Sequence, residues 1–384
     1  MLQTHPAPYA VPPVSNSMSQ RVAIARTLCI AFMTFVHVQP GIAENVYDRE
    51  AGFFDIVYFV LTRLIGLSSV SLLGIVSGYF IVSSLVKAGP ARVVAAKLRT
   101  LVVPLVSWNA LMLALLVAYG MLSDNWRDMP QATPLGIANA FLALTEWPLV
   151  VPLWFLRDLF VCCLVSPLVL IGLRRSAPAV FAVLAAYTLF GTDWYLMQRP
   201  QLLLFFAIGM WLRLADIGEW SLDRALRPLL AGLAIMVAIF LALRIGRVSI
   251  GEMNETLRIV LDTLLRVTMA AGCWLLTDVL RRSHIGSLLI RFEPYAFFLF
   301  CSHAILFKFG GILLRRVFGN YGSDLFAISF FLQPVLAIVA AIIGMQLVSR
   351  FALPAFLFNA GKGPVIAKRA GPAPDRKSVA PQIR

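Results

Sequence analysis

Arg26 and His37 are the residues whose types and spacing point most directly to chemistry. They lie in the stretch RVAIARTLCIAFMTFVHVQPG, Arg21 to Gly41, which is otherwise largely apolar. Ionisable side chains in such a segment mark a functional site by default, because a membrane interior disfavours them. On an α-helix, eleven steps of about 100° return His37 to within about 20° of Arg26. At about 1.5 Å rise per residue, the two Cα atoms sit roughly 16 Å apart along the axis. That is about half of a hydrocarbon core about 30 Å thick. One helix face therefore carries a fixed cation near one membrane surface and a titratable base deep or near the other. A guanidinium is a permanent ligand for anions, and a neutral imidazole accepts a proton near neutral pH.

The elements that hold these two residues must be membrane helices. The chain has 384 residues, 60% of them hydrophobic and 14% charged, with a mean hydropathy of +0.83. Soluble proteins carry about 25% charged residues. The expected fold class is all-α, a polytopic membrane bundle, since open backbone cannot face lipid. Apolar runs long enough to span occur about ten times. They fall near 22–40, 64–85, 101–121, 152–172, 177–192, 201–215, 227–244, 258–280, 294–314 and 325–349. Three regions are expected: a disordered cytoplasmic N-terminus over 1–20, a transmembrane domain over 21–350, and a basic, Pro-rich cytoplasmic tail over 351–384. The first region lacks the apolar core of a signal peptide.

The net charge of +14, from 33 Lys+Arg against 19 Asp+Glu, reads as the positive-inside rule. No compact basic domain or nucleic-acid motif accompanies it, so nucleic acid is not an expected partner. Cys29, Cys162, Cys163, Cys273 and Cys301 all fall in apolar runs and read as small buried hydrophobes. No cluster has metal-ligand spacing, and neither a metal nor a bound cofactor is expected. The connections alternate in charge. Glu44–Asp55 is acidic, Lys87–Arg99 basic, Asp124–Glu146 mildly acidic and Arg174-Arg175 basic. This places both termini, Lys87–Arg99 and Arg174-Arg175 in the cytoplasm. Arg244–Arg258 and Arg315-Arg316 fall outside despite their positive charge. Arg26 is then on the cytoplasmic side and His37 toward the exterior.

Later segments repeat a recognisable order. Leu73–Ile81 reads LGIVSGYFI, Lys97–Pro104 reads KLRTLVVP, Pro152–Leu156 reads PLWFL and Phe297–Ile305 reads FFLFCSHAI. With the Arg26–His37 pair, these five segments in this order resemble the membrane-bound acyltransferase 3 family over nearly all of 21–350. Within it, LCIAFMTFVHVQPG is most similar to exopolysaccharide O-acyl and succinyltransferases of the succinoglycan type. The chain departs from many members in having ValAlaIleAla before Arg26, and in Lys97 where an arginine is usual.

The resemblance implies acyl transfer from cytoplasmic acyl-CoA, succinyl-CoA or acetyl-CoA, to a sugar hydroxyl of an exopolysaccharide or its lipid-linked repeat unit. The expected setting is the bacterial inner membrane, with the lipid bilayer and polysaccharide-assembly proteins as partners. A hydroxyl is a poor nucleophile until a base shares its proton, and His37 suits that task. The competing reading is a packing histidine bonded to a neighbouring span. Arg26, Arg92, Lys97 and Arg99 form a cytoplasmic cluster suited to the donor's phosphates, against the plainer reading of positive-inside charge. Candidates for the acceptor site or path are Arg63, Glu146, Trp154, Arg157, Asp158, Arg266 and His303. Asp262 and Arg266 stand at i, i+4 and read as an internal ion pair. A transporter or flippase of a lipid-linked saccharide, and a non-catalytic partner in polysaccharide assembly, are the alternative functions.

Overall fold

The computed structural model of the protein describes residues 13–38, 53–190, 196–245 and 255–362. Residues 1–12, most of the Glu44–Asp55 connection, part of Arg244–Arg258 and the tail beyond 362 lie outside the described residues. Among the described residues the secondary structure is helical and contains no strand. In order, the helices are α1 (Asn16–Val36), α2 (Phe53–Phe59), α3 (Gly66–Ala88), α4 (Pro90–Lys97), α5 (Val103–Ser123), α6 (Pro134–Leu142) and α7 (Trp154–Phe190). Then come α8 (Gln201–Leu214), α9 (Glu219–Leu226), α10 (Leu229–Ile245), α11 (Glu255–Arg281), α12 (His284–Phe318), α13 (Phe326–Val348) and α14 (Ala352–Phe358).

Among the described residues, seven helical stretches are long and apolar enough to cross a membrane: Asn16–Val36, Phe53–Ala88, Pro90–Ser123, Val151–Phe190, Ile259–Arg281, His284–Phe318 and Phe326–Val348. About ten spans are expected from the sequence, and the difference has physical causes. The runs 152–172 and 177–192 share one stretch, broken at Ser176 (φ −157°, ψ 95°). Pro178 lacks the N–H that would close the preceding turn, and its ring crowds the carbonyl four residues back. A Cβ on Gly172 would come within 2.8 Å of Val180 Cγ2, so the two halves bend sharply toward each other. Helix α8 has 14 residues, about 21 Å of helix and short of a hydrocarbon core. Helix α10 has 17.

Helix α1 starts at Asn16, inside the segment expected to be disordered, because Ser15 caps it by accepting the Met18 N–H at 2.9 Å. Glycine and proline are absent from Asn16 to Val36, so the helix runs unbroken. Residues buried on all its sides, among them Ile24, Ala25, Cys29 and Met33, mark it as a central helix. It packs against α3, α11 and α12. The tail expected from 351 is also ordered at its start. Helix α14 lies on α5, where the Trp108 Nε1–H donates to the Phe358 carbonyl at 3.1 Å.

Helices α3 and α8 cross in close contact. A Cβ on Gly78 would stand 1.9 Å from the Phe206 carbonyl oxygen, and one on Gly209 would stand 1.9 Å from that of Ile75. Only glycine permits backbones so near, as membrane helix interfaces often require. The SerGlyTyr segment of α3 thus acts in packing, as its small residues suggest.

Candidate active site

Two ionisable contacts join α1 to α12. At one level, Arg26 Nη1 lies 3.3 Å from Glu293 Oε1. At the other, the rings of His37 and His303 have centroids 5.2 Å apart. Residue numbers rise from the first contact to the second on both helices, so the two helices run parallel. Eleven steps on α1 match ten on α12, roughly 16 Å against about 15 Å of rise. The axial separation expected for Arg26 and His37 is therefore kept, and a second helix matches it.

His37 ends α1 as its C-cap (φ −100°, ψ 0°). Its backbone N–H donates to the Thr34 carbonyl at 3.1 Å. His303 is fully buried, with Nδ1 3.1 Å from the Leu299 carbonyl oxygen. A carbonyl only accepts, so Nδ1 carries the hydrogen and Nε2 is the acceptor of a neutral ring. That Nε2 is buried and has no hydrogen-bond partner among the described residues. Phe307 stands edge-on to the ring at 5.8 Å.

His37 also lines a cavity of about 220 Å³ at the end of α1. Its walls include Gly66 and Val70 of α3, Trp147, Trp154, Arg199, Gln201 and Arg266. The two indoles meet edge to face, 6.1 Å apart. The Arg199 guanidinium lies 5.5 Å from the Trp147 ring centroid. Gln201 Nε2 donates to Thr263 Oγ1 of α11 at 2.8 Å. The site thus combines a base, two aromatic faces, two cations and an amide around one space.

A buried frame holds the wall between α7 and α8. Asp158 is fully buried and accepts the backbone N–H groups of Gln198 (3.1 Å) and Arg199 (2.9 Å). Arg157 Nη1 donates to Asp158 Oδ1 at 2.9 Å and to the Leu196 carbonyl at 2.6 Å. Asn109, also fully buried, accepts the Val150 N–H at 2.8 Å. Arg157 and Asp158, expected as path residues, hold the loop that presents Arg199. Glu146 is exposed, and its backbone carbonyl accepts the Gln198 side-chain N–H at 3.3 Å. Trp154 and Arg266, two of the residues expected at the acceptor site or path, line the cavity. Arg266 Nε donates to Asp262 Oδ2 at 2.6 Å, the expected i, i+4 pair. Arg63 sits in a π-helical turn, Val60–Ile65, with its Nε buried and unpartnered among the described residues.

Arg26 marks the opposite end. Its guanidinium lies 5.8 Å from the Phe80 ring centroid, while Gly66 lies against Val36, so α1 and α3 are antiparallel. Helix α4 follows directly on α3, which places Arg92, Lys97 and Arg99 at the Arg26 end of the bundle. Arg99 lies in a second π-helical turn, Leu98–Val102, just before Pro104. Arg92 and Arg99 are exposed, and Lys97 is half-buried.

Three residues outside the sequence candidates take part. Glu293 pairs with Arg26, and Arg199 lines the His37 cavity. Arg21 is 1% exposed and bonds Asp223 with both terminal nitrogens, at 2.8 and 2.9 Å. It also donates to Thr277 Oγ1 and the Trp274 carbonyl, each at 3.0 Å, anchoring α9 and α11 to α1. Arg199 precedes Pro200 at the edge of an apolar run, where an arginine resembles a topology charge. The position of Glu293 beside Pro294 likewise gives no pattern. Arg21 had one available signal, its place in the same apolar segment as Arg26 and His37.

The chain is 26% identical over 347 residues to the succinoglycan biosynthesis protein ExoH of Rhizobium meliloti (strain 1021), an alignment covering 88% of this chain and 90% of that protein. No solved structure matches the chain. The acyltransferase domain family matches residues 20–350, which include the Arg26–Glu293 and His37–His303 contacts and the cavity beside them. By a match of that extent, the chain belongs to the acyltransferase domain family.

Proposed function

We propose that this protein is an integral-membrane O-acyltransferase that moves a succinyl or acetyl group from cytoplasmic acyl-CoA to a sugar hydroxyl of an exopolysaccharide or its lipid-linked repeat unit. The observation that carries this reading is the position of His37, which opens onto a cavity walled by Trp147 and Trp154 and is backed by His303. Indole faces suit the apolar faces of a sugar ring, with Gln201 available for its hydroxyls. The succinoglycan link of ExoH supports a saccharide acceptor.

In this mechanism the nucleotide end of the donor binds at the Arg26 end, with Arg92, Lys97 and Arg99 supplying charge for its phosphates. The pantetheine arm runs through the bundle, over a distance of the same order as the roughly 16 Å between Arg26 and His37. His37 accepts the proton of the acceptor hydroxyl as that oxygen bonds to the thioester carbonyl carbon. The C–S bond breaks, and the departing thiolate takes the proton back from the imidazolium. His303, whose ring lies 5.2 Å from that of His37, positions the His37 ring. A general base of this kind contributes about 10²–10⁴-fold.

The test uses membranes containing the full chain, radiolabelled succinyl-CoA or acetyl-CoA, and an exopolysaccharide acceptor. Label transferred to the glycan by the wild type supports the enzyme. Movement of a lipid-linked saccharide without acylation would mean a transporter, and neither would mean a non-catalytic partner.

A further inference from the structure

Two cavities lie end to end among the same helices. The outer one, beside His37, holds about 220 Å³. The inner one holds about 260 Å³ and lies toward the Arg26 end, where its wall residue Phe80 stands 5.8 Å from the Arg26 guanidinium. Helices α1, α3, α8 and α11 line both. On α3, Val70 lines the outer cavity and Leu72 the inner one. On α8 the change falls between Phe205 and Ile208, and on α11 between Arg266 and Val267. On these three helices the step is short, about 1.5–4.5 Å of rise. Protein interiors leave few voids larger than a water molecule, so two cavities of this size in register mark space for a ligand. The layer between them carries a second observation. On α1 it contains Ala25 and Cys29, both buried. On α3, Ser69 and Ser71 flank Val70 at this level, 1% and 0% exposed, and neither hydroxyl has a hydrogen-bond partner among the described residues. The Cys29 thiol approaches Ser69, but a thiol is a weak donor. Unpaired hydroxyls in a membrane interior are costly unless a ligand or water pairs them.

We infer that the donor's pantetheine arm binds along these two cavities, between α1, α3, α8 and α11, with the Ser69 and Ser71 hydroxyls pairing its amides where the cavities meet. The arm is a linear carbon chain interrupted by two amides and ending in the thioester. Apolar walls, among them Val76, Ile208 and Ala270 of the inner cavity, suit its carbon stretches, and a hydroxyl both donates to and accepts from an amide. The groups follow in the right order: phosphates at Arg26, amides at the serines, thioester at His37. Passage of the arm requires the side chains of the intervening layer to give way. The inference rests on the acyltransferase reading above and adds to it the route and the residues that bind the arm.

The experiment measures equilibrium binding of acetyl-CoA and of phosphoadenosine diphosphate, the same nucleotide without the arm, to the full chain purified in detergent. The readout is the ratio of the two affinities. Ala271→Phe places a ring in the inner cavity and should lower this ratio about tenfold or more, because the arm loses its space. Filling a cavity leaves the fold intact or more stable, and the unfolding midpoint checks that. Ser69→Ala combined with Ser71→Ala should lower the ratio about tenfold, for the loss of uncharged hydrogen bonds. Both variants should bind phosphoadenosine diphosphate as the wild type does. Acyl transfer by the same samples keeps the two readings apart. Wild type that binds acetyl-CoA through the arm and transfers no acyl group would overturn the enzyme reading, and the binding ratio would still decide the route. A fall in one variant alone would retain the half of the inference which that variant probes and overturn the other. A ratio equal in the wild type and both variants would overturn the inference. So would wild type that binds neither compound, or a lipid chain displaced from the inner cavity by Ala271→Phe with the ratio unchanged.

Discussion

His37 and His303 meet ring to ring, their centroids 5.2 Å apart and their planes inclined by 49°. One imidazole closes α1 at the edge of a cavity, and the other is sealed in the middle of α12. The Leu299 carbonyl fixes the tautomer of His303, which leaves an acceptor nitrogen buried and unpaired among the described residues. Such a nitrogen is unfavourable unless it is used. His303→Ala should lower kcat about tenfold or more, less than the loss of a general base. His303→Gln, which keeps an acceptor near the same place, should recover part of it. Steady-state kinetics at several pH values check this. A role in packing alone would leave the shape of the pH profile unchanged.

Arg26 presents a different balance. Its side chain is 41% exposed and that of Glu293 is 27% exposed, so their pair adds about 0–1 kcal/mol to stability. Arg26→Ala should therefore leave thermal unfolding in detergent almost unchanged while raising KM for acyl-CoA about tenfold. Glu293→Gln, which frees the guanidinium, should not raise it. A rise in KM for Glu293→Gln equal to that for Arg26→Ala would mean that the pair acts as a unit.

Arg21 should behave in the opposite way. Buried at 1% exposure and bonded twice to Asp223, it ties α1 to α9. Arg21→Ala leaves Asp223 without its ion-pair partner and should destabilise the protein by about 3–5 kcal/mol. Arg21→Met combined with Asp223→Leu should return much of that. Thermal unfolding of the detergent-purified protein distinguishes the two variants.

The crossing of α3 on α8 supports the cavity wall. Gly78→Ala would place a methyl 1.9 Å from the Phe206 carbonyl and should destabilise by about 1–3 kcal/mol through overpacking. Gly310→Ala is the control, since a Cβ there meets nothing within 4 Å. It should be neutral or slightly stabilising, as alanine favours helix by up to about 1 kcal/mol. Unfolding midpoints for the two variants check the contrast.

The two ends of the site differ in how far the sequence reveals them. Arg26 and His37 share one unbroken helix, so their face and separation follow from helical geometry alone. The pair Asp262–Arg266 is legible for the same reason, being a single helical turn. Contacts between helices are not local in this sense. Nothing in α12 taken alone shows that His303 faces α1, and a lone histidine in an apolar run reads equally well as packing. Arg199 depends on a fold-back held by Asp158 of α7, and its charge looks like topology until that loop closes. Span number was also obscured, because hydropathy registers apolar runs and not the break at Ser176 that folds two of them within one helical stretch.

The role of His37 in taking the proton from the acceptor hydroxyl is decided by acyl transfer from labelled acyl-CoA to glycan in membranes carrying equal amounts of wild type and His37→Ala. His37→Ala should lose about 10²–10⁴-fold in kcat, with donor binding and membrane insertion retained. Acceptor acylation by His37→Ala at close to the wild-type rate would contradict it.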